Sequence, residues 1–191
     1  KGTGPELVKK IQQQAMKAGA KYIHETVTKV DFSSNPKKIE TDLNKGYYAT
    51  AVIIATGAKP KYLGIKSEEK FKNRGLSVCA ACDGALFEKQ DVAVVGGGDT
   101  ALHEAVYLAN LCKSVKLFVR KSSLTASPPL KAQLERSKVE VFYNTEVVDL
   151  IGNNFLTHIL IKNRETGEQK KIPSAALFLA IGQTPVTAIF K

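Results

Sequence analysis

The chain has 191 residues, 43% hydrophobic and 24% charged, which is the composition of an ordinary soluble globular protein. No apolar run approaches the roughly 20 residues of a membrane span, and the three cysteines are too few and too unevenly placed for a secreted disulfide scaffold. The formal charge of +10 lies on scattered lysines and arginines that do not alternate with aromatics. It reads as a lysine-rich solvated surface or as a preference for an anionic partner, a nucleotide, a nucleic acid or an acidic protein, of which nucleic acid has little support. These features together predict a cytoplasmic protein with no membrane segment.

Thr3-Gly4-Pro5-Glu6 reads as a helix start, with Thr3 as cap and Glu6 closing a capping box. Leu7, Val8, Ile11, Ala15 and Ala18 keep helical spacing, and Gly19 suits the stop. Three β-like stretches follow, "KYIHETVTKVDF", "KIETDL" and "YYATAVIIA", separated by Asn35-Pro36 and Asn44-Lys45-Gly46 turns. The run "AVIIATG" is apolar and β-branched and ends in Gly57, so it predicts a buried strand entering a tight turn. Residues 60–77 read as a lysine-rich loop.

The next stretch, "SVCAACDGALF", sets Cys79 and Cys82 three apart, with Asp83 after them. Structural zinc needs four ligands, and neither a second pair nor paired histidines accompany this one. A structural bridge here would close only a tiny loop, which constrains the unfolded chain little. A redox dithiol remains: one thiolate attacks a partner disulfide and its neighbour resolves the mixed disulfide. Asp83 is a candidate proton donor to the departing thiolate, or a helix N-cap. Cys112, near the end of an apolar helix, reads as a small core residue.

Val92–Val95 form a short buried strand, followed by Gly96, Gly97 and Gly98 and then a helix carrying Ala101, Leu102, Ala105, Val106, Leu108 and Ala109. Gly96-x-Gly98-x-x-Ala101 is the dinucleotide fingerprint. Gly96 lets the chain turn out of the strand, Gly98 lets a pyrophosphate approach the backbone, and Ala101 keeps the helix close. The helix N-terminus offers N–H groups to the phosphates. After the next strand, "SVKLFV", an NAD protein usually carries a carboxylate for the ribose. This chain has Arg120 and Lys121 instead, which favours NADP(H). The remainder reads as a helix over "PPLKAQLERS", strands over "VEVFYN", "TEVVDLIG" and "HILIKN", a hairpin turn at Glu165-Thr166-Gly167, and a buried strand over "AALFLAIG".

A nicotinamide hydride does not readily reduce a disulfide without a relay, and a flavin is the usual one. "GPEL", "VIIATGAKP", "RGLSVCAACDG", "VVGGGDTALHEAVYLA", "TGE" and "LFLAIGQTP", in that order and spacing, resemble low-molecular-weight (bacterial-type) thioredoxin reductase. The resemblance implies an α/β fold: a Rossmann-like three-layer NADPH-binding domain and part of an FAD-binding domain of the same type. It implies a route from NADPH through FAD to the dithiol and on to thioredoxin, in a homodimer. Cys79 matches the cysteine that attacks thioredoxin, Cys82 the one facing the flavin, and Asp83 the acid. Gly96, Gly97, Gly98, Asp99, Thr100 and Ala101 match the NADPH loop. Glu104 matches an acid near the nicotinamide ribose, and Ile181 and Gly182 match the strand end beside the cofactor. Ala55, Thr56 and Gly57 match a turn near FAD, and Val27 a strand residue whose backbone touches the adenine.

Two departures stand out. Val119, Lys121 and Thr125 replace a His and two Arg of the family's basic motif, thinning the grip on a 2′-phosphate. The FAD-binding segments that open and close the family pattern are not in this sequence, so it reads as an internal portion in which FAD is not retained tightly. The expected organisation is residues 1–76 as a partial FAD-binding domain, 77–184 as the NADPH-binding domain and 185–191 returning toward the first. The alternatives are the flavoprotein of alkyl hydroperoxide reduction and an inert dinucleotide-binding fragment.

Overall fold

The computed structural model describes residues 2–190. Lys1 and Lys191, the ends of the expected first and last segments, lie outside the described residues. The chain divides into two compact units: residues 1–57 with 186–191, and residues 58–185.

In the first unit, helix α1 (Gly4–Lys17) carries the expected capping box. Thr3 Oγ1 accepts from the Glu6 N–H at 3.4 Å and Glu6 Oε2 accepts from the Thr3 N–H at 2.8 Å. Strands β1 (Val27–Asp31), β2 (Lys37–Thr41) and β3 (Gly46–Ala49) form an antiparallel meander. Glu25 knits one end of it by accepting from Thr41 Oγ1, Lys45 Nζ and Tyr47 Oη. The expected buried strand over "AVIIATG" does not form: residues 51–57 adopt no strand, and Ile53 is 94% exposed. An apolar run becomes a buried strand only where a neighbouring strand pairs with it, and among the described residues none does.

The second unit contains β4 (Ala58–Pro60), α2 (Glu68–Phe71), β5 (Leu76–Ser77), α3 (Ala80–Asp83), β6 (Asp91–Val95) and α4 (Asp99–Ala109). It continues with β7 (Ser114–Phe118), α5 (Pro128–Glu135), β8 (Val139–Phe142), β9 (Thr145–Gly152), β10 (Leu156–Asn163), β11 (Gln169–Pro173), β12 (Ala176–Leu179) and β13 (Gln183–Pro185). A five-stranded parallel sheet, ordered β5-β12-β6-β7-β8, is the central layer. Alternate residues leave its two faces, as the pleat requires. Val92, Val94, Val115, Leu117 and Phe178 pack under α4 with Ala101, Leu102, Ala105 and Leu108. Ala93, Val95, Leu177 and Leu179 pack against Val147, Leu150, Ile159 and Ile172 of the antiparallel meander β9-β10-β11. The three layers are therefore helices, parallel sheet and antiparallel sheet.

Residues 60–77 are not a plain loop. They contain α2 and β5, and Phe71, Leu76 and Glu68 are buried. The compact units thus divide at Gly57–Ala58 and Pro185–Val186, whereas the sequence reading divides the chain at 76–77 and 184–185. The reason is physical: Phe71 and Leu76 fill the core beneath the meander, and β13 pairs with β4.

Candidate functional site

The dithiol stretch folds as a short turn of helix. Cys79 is the N-cap of α3, and its Sγ accepts from the Cys82 N–H at 3.2 Å. The two sulfurs are joined as a disulfide. Cys82 is exposed and Cys79 half-buried. Asp83 does not act as a side-chain cap. Its Oδ2 accepts from Ser77 Oγ at 2.6 Å, and Ser77 Oγ in turn accepts from the Cys79 N–H at 3.1 Å. Ser77, which the sequence reading passed over, is the buried hydroxyl that ties the acid to the dithiol backbone.

Behind α3 stands α4. Glu104, expected near a ribose, is half-buried on α4, and one of its oxygens, Oε2, is buried without a hydrogen-bond partner among the described residues. Burial pushes its carboxyl above the ordinary glutamate range near 4.5, while the Ala80 N–H and His103 pull it down. The folded protein therefore keeps this proton where the unfolded chain has lost it. The group's contribution is fully favourable below about 4.5 and is lost as pH rises through the elevated value. Glu104→Gln should raise the urea midpoint at pH 8 and leave it near wild type at pH 4. Equal midpoints for the two proteins at both pH values would contradict that assignment.

The glycine turn lies at the carboxyl end of the parallel sheet, where α/β sheets bind ligands. Gly96 has φ of +147°, and a Cβ there would sit 2.3 Å from Ala180 O and 2.8 Å from Ala101 Cβ. A Cβ on Gly97 would meet Val119 Cγ1 at 3.0 Å. The turn is thus close-packed at Gly96, where only glycine fits, and tight at Gly97, while a Cβ on Gly98 would meet nothing nearer than Thr125 Oγ1 at 3.8 Å. Thr125 braces it: its N–H and Oγ1 both donate to Gly97 O, at 2.8 and 3.1 Å. Gly98 is the N-cap of α4 and supplies no side-chain acceptor, so the first-turn N–H groups lack a capping partner.

A cleft of about 680 Å³ opens over this turn. Gly96, Gly97, Gly98, Asp99 and Thr100 line its floor, and Arg120 and Lys121 one side. Ile181 and Gly182 line the other side, and Ala101 is fully buried just beneath. Lys61, Tyr62 and the strip Thr145, Glu146 and Val147 complete the walls. None of those five was singled out from sequence, because a lysine-rich loop and an ordinary strand carry no local signature. The two acids of the cleft are engaged. Asp99 Oδ1 accepts from the Ser127 N–H at 2.6 Å, and Glu146 pairs with Arg164 at 3.5 Å. Lys61, Arg120 and Lys121 have no carboxylate partner among the described residues. A glycine cradle, uncapped helix amides and unpaired cations fit a dinucleotide phosphate.

The other predicted residues lie in the first unit. Val27 starts β1 and is 42% exposed. Ala55, Thr56 and Gly57 are exposed, and a Cβ on Gly57 would meet nothing within 4 Å. Thr56 Oγ1 donates to Val186 O at 2.6 Å. These residues offer an open surface rather than a cradle and do not by themselves fit a tightly held flavin. Cys112 is half-buried against the α4 face of the core, and burial pushes its thiol up. No helix among the described residues is long and apolar enough to cross a membrane.

The family model for pyridine nucleotide-disulphide oxidoreductases matches residues 3–191. A thioredoxin reductase of Buchnera aphidicola is 41% identical over 195 residues, covering 98% of this chain and 61% of that protein. Thioredoxin reductase 1 of Saccharomyces cerevisiae is 40% identical over 194 residues, with the same coverage of 98% and 61%. Among solved structures, the thioredoxin reductase of Lactococcus lactis superposes with a TM-score of 0.83 at 31% identity, covering 98% of this chain and 62% of that one. That of Giardia duodenalis gives 0.78 at 34% identity, with 98% and 62% covered. The chain spans about 61% of the length of the curated relatives it matches.

Proposed function

This chain belongs to the pyridine nucleotide-disulphide oxidoreductase family, and on that premise we propose that its full-length form is an NADPH-dependent reductase of thioredoxin. One observation carries the reading: a Cys79–Cys82 disulfide and a cationic glycine-turn cleft belong to one compact unit. The dinucleotide is assigned to the second unit, which contains the whole of 77–184, and the flavin region to the first. Val27, Ala55, Thr56 and Gly57 would form part of a flavin site in the complete protein, and a flavin held there would supply the two-electron chemistry between nicotinamide and disulfide. Homodimerisation, implied by the resemblance, and a cytoplasmic location, read from composition and cysteine usage, belong to the same proposal.

The residues of this chain then act as follows. The Cys82 N–H, aimed at Cys79 Sγ, stabilises a Cys79 thiolate once the disulfide is reduced. That thiolate attacks the thioredoxin disulfide, forming a mixed disulfide and releasing one thioredoxin thiolate, which takes up a proton from Asp83. The Cys82 thiol then gives up its proton and attacks Cys79 Sγ, restoring the Cys79–Cys82 disulfide and releasing the second thioredoxin sulfur, which takes that proton. Two electrons and two protons leave with thioredoxin. Ser77 holds Asp83 beside the pair throughout.

Arg120 and Lys121 support NADPH over NADH, as cations without a neighbouring ribose-binding acid. Arg120→Ala should weaken NADPH binding about tenfold, the scale of one charge-assisted hydrogen bond, and change NADH binding far less. Calorimetric titration checks this, and equal losses for both nucleotides would contradict it. The function itself is tested by coupling NADPH oxidation by the full-length protein to reduction of thioredoxin. NADPH consumption that left the thioredoxin disulfide intact would refute it.

A further inference from the structure

The cleft has a third cation that the fingerprint does not include. Lys61 follows β4 and stands on the opposite side of the glycine turn from Arg120 and Lys121. The sheet order explains why. The turn leaves β6, which is flanked by β12 on one side and β7 on the other. Arg120 and Lys121 follow β7. Lys61 is tied to the continuation of β12: its N–H donates to Gly182 O at 3.0 Å, and β4 pairs with β13 at Gln183↔Pro60. Two strand spacings, about 10 Å, separate the two flanks.

The segment bearing Lys61 is built rather than loose. Glu68 is only 5% exposed, and its two oxygens accept from the Leu63 and Gly64 N–H groups at 2.6 and 2.7 Å. Lys72 lies over the Tyr62 ring at 4.5 Å and pairs with Glu69. Lys61 is the cation of this segment that lines the cleft, and its side chain has no acidic partner among the described residues.

A dinucleotide laid across the turn, with its adenosine end at Arg120 and Lys121, brings its nicotinamide half toward the β12 flank. We infer that Lys61 binds the nicotinamide-side phosphate of the dinucleotide and is a binding residue common to NADP(H) and NAD(H). Arg120 and Lys121 serve the adenosine end. The inference rests on the dinucleotide assignment made above. The Glu68 clamp acts as a positioning element that presents Lys61.

The test is calorimetric titration of the full chain with NADP⁺, NAD⁺ and adenosine 2′,5′-bisphosphate, which lacks the nicotinamide-side phosphate. Lys61→Ala should weaken both dinucleotides about tenfold, the scale of losing one charge-assisted hydrogen bond, and leave bisphosphate affinity unchanged. Lys61→Arg, which keeps the charge, should restore most of the dinucleotide affinity. Unchanged NADP⁺ affinity in Lys61→Ala would overturn the inference, as would an equal loss for the bisphosphate, which would place Lys61 at the adenosine end or implicate a distorted cleft. If the wild-type chain bound no dinucleotide, the dinucleotide assignment itself would fall and take this inference with it. If wild type bound and Lys61→Ala bound equally, only the role of Lys61 would fall.

Discussion

Replacing either Cys79 or Cys82 by serine should lower thioredoxin reduction by the full-length protein by about three orders of magnitude or more, the scale of losing a nucleophile. The two variants should differ in what they accumulate. Cys82→Ser keeps the attacking thiol and loses the resolving one, so incubation with oxidised thioredoxin should trap a mixed disulfide through Cys79. Cys79→Ser should trap far less, because the remaining thiol lacks the Cys82 N–H contact that Cys79 Sγ has. Non-reducing electrophoresis with peptide mapping reads both outcomes. Trapping through Cys82 alone would reverse the assigned roles. Stability is not at issue, since a disulfide spanning three residues restricts the unfolded chain little.

The largest structural effect is expected at Gly96. Gly96→Ala must place a Cβ 2.3 Å from Ala180 O, at φ of +147°. Neither neighbour can yield cheaply. Ala180 lies at the end of the buried strand β12, with its N–H donating to Val95 O at 2.9 Å. Ala101 is fully buried in the first turn of α4. Backbone strain and overpacking together should cost about 3 kcal/mol or more, a large share of the roughly 5–15 kcal/mol that holds a domain together. Urea unfolding should show a lower midpoint, and NADP⁺ binding should be lost, because the cradle and α4 would have to part. A variant that unfolded with the wild type and bound NADP⁺ equally would contradict the close-packed turn.

The site's centre was legible because its chemistry is local. A glycine turn between a buried strand and an amphipathic helix is written in consecutive residues, and so is a cysteine pair. The capping box at Thr3 and Glu6 was legible for the same reason. What could not be read depends on distant partners. "AVIIATG" has every local mark of a buried strand, but burial needs a neighbouring strand, and Ile53 is left in solvent. Residues 60–77 show lysines and no period, yet Glu68 turns inward because two backbone amides await it. That clamp gives Lys61 its place. Thr125 illustrates the converse. Read as a lost cation of a basic motif, it braces the glycine turn through Gly97 O. Glu104, matched to a cofactor acid by the resemblance, is half-buried on α4, and burial pushes its carboxyl up.

Delivery of nicotinamide electrons to the Cys79–Cys82 disulfide is the step on which the proposed function stands. It is tested most directly by adding one anaerobic equivalent of NADPH to the FAD-loaded, full-length protein, then alkylating and mapping the cysteines. New label is expected on Cys79 and Cys82 together, two thiols for each NADPH oxidised, with Cys112 labelled no more than before. NADPH oxidised with the Cys79–Cys82 disulfide intact would contradict it.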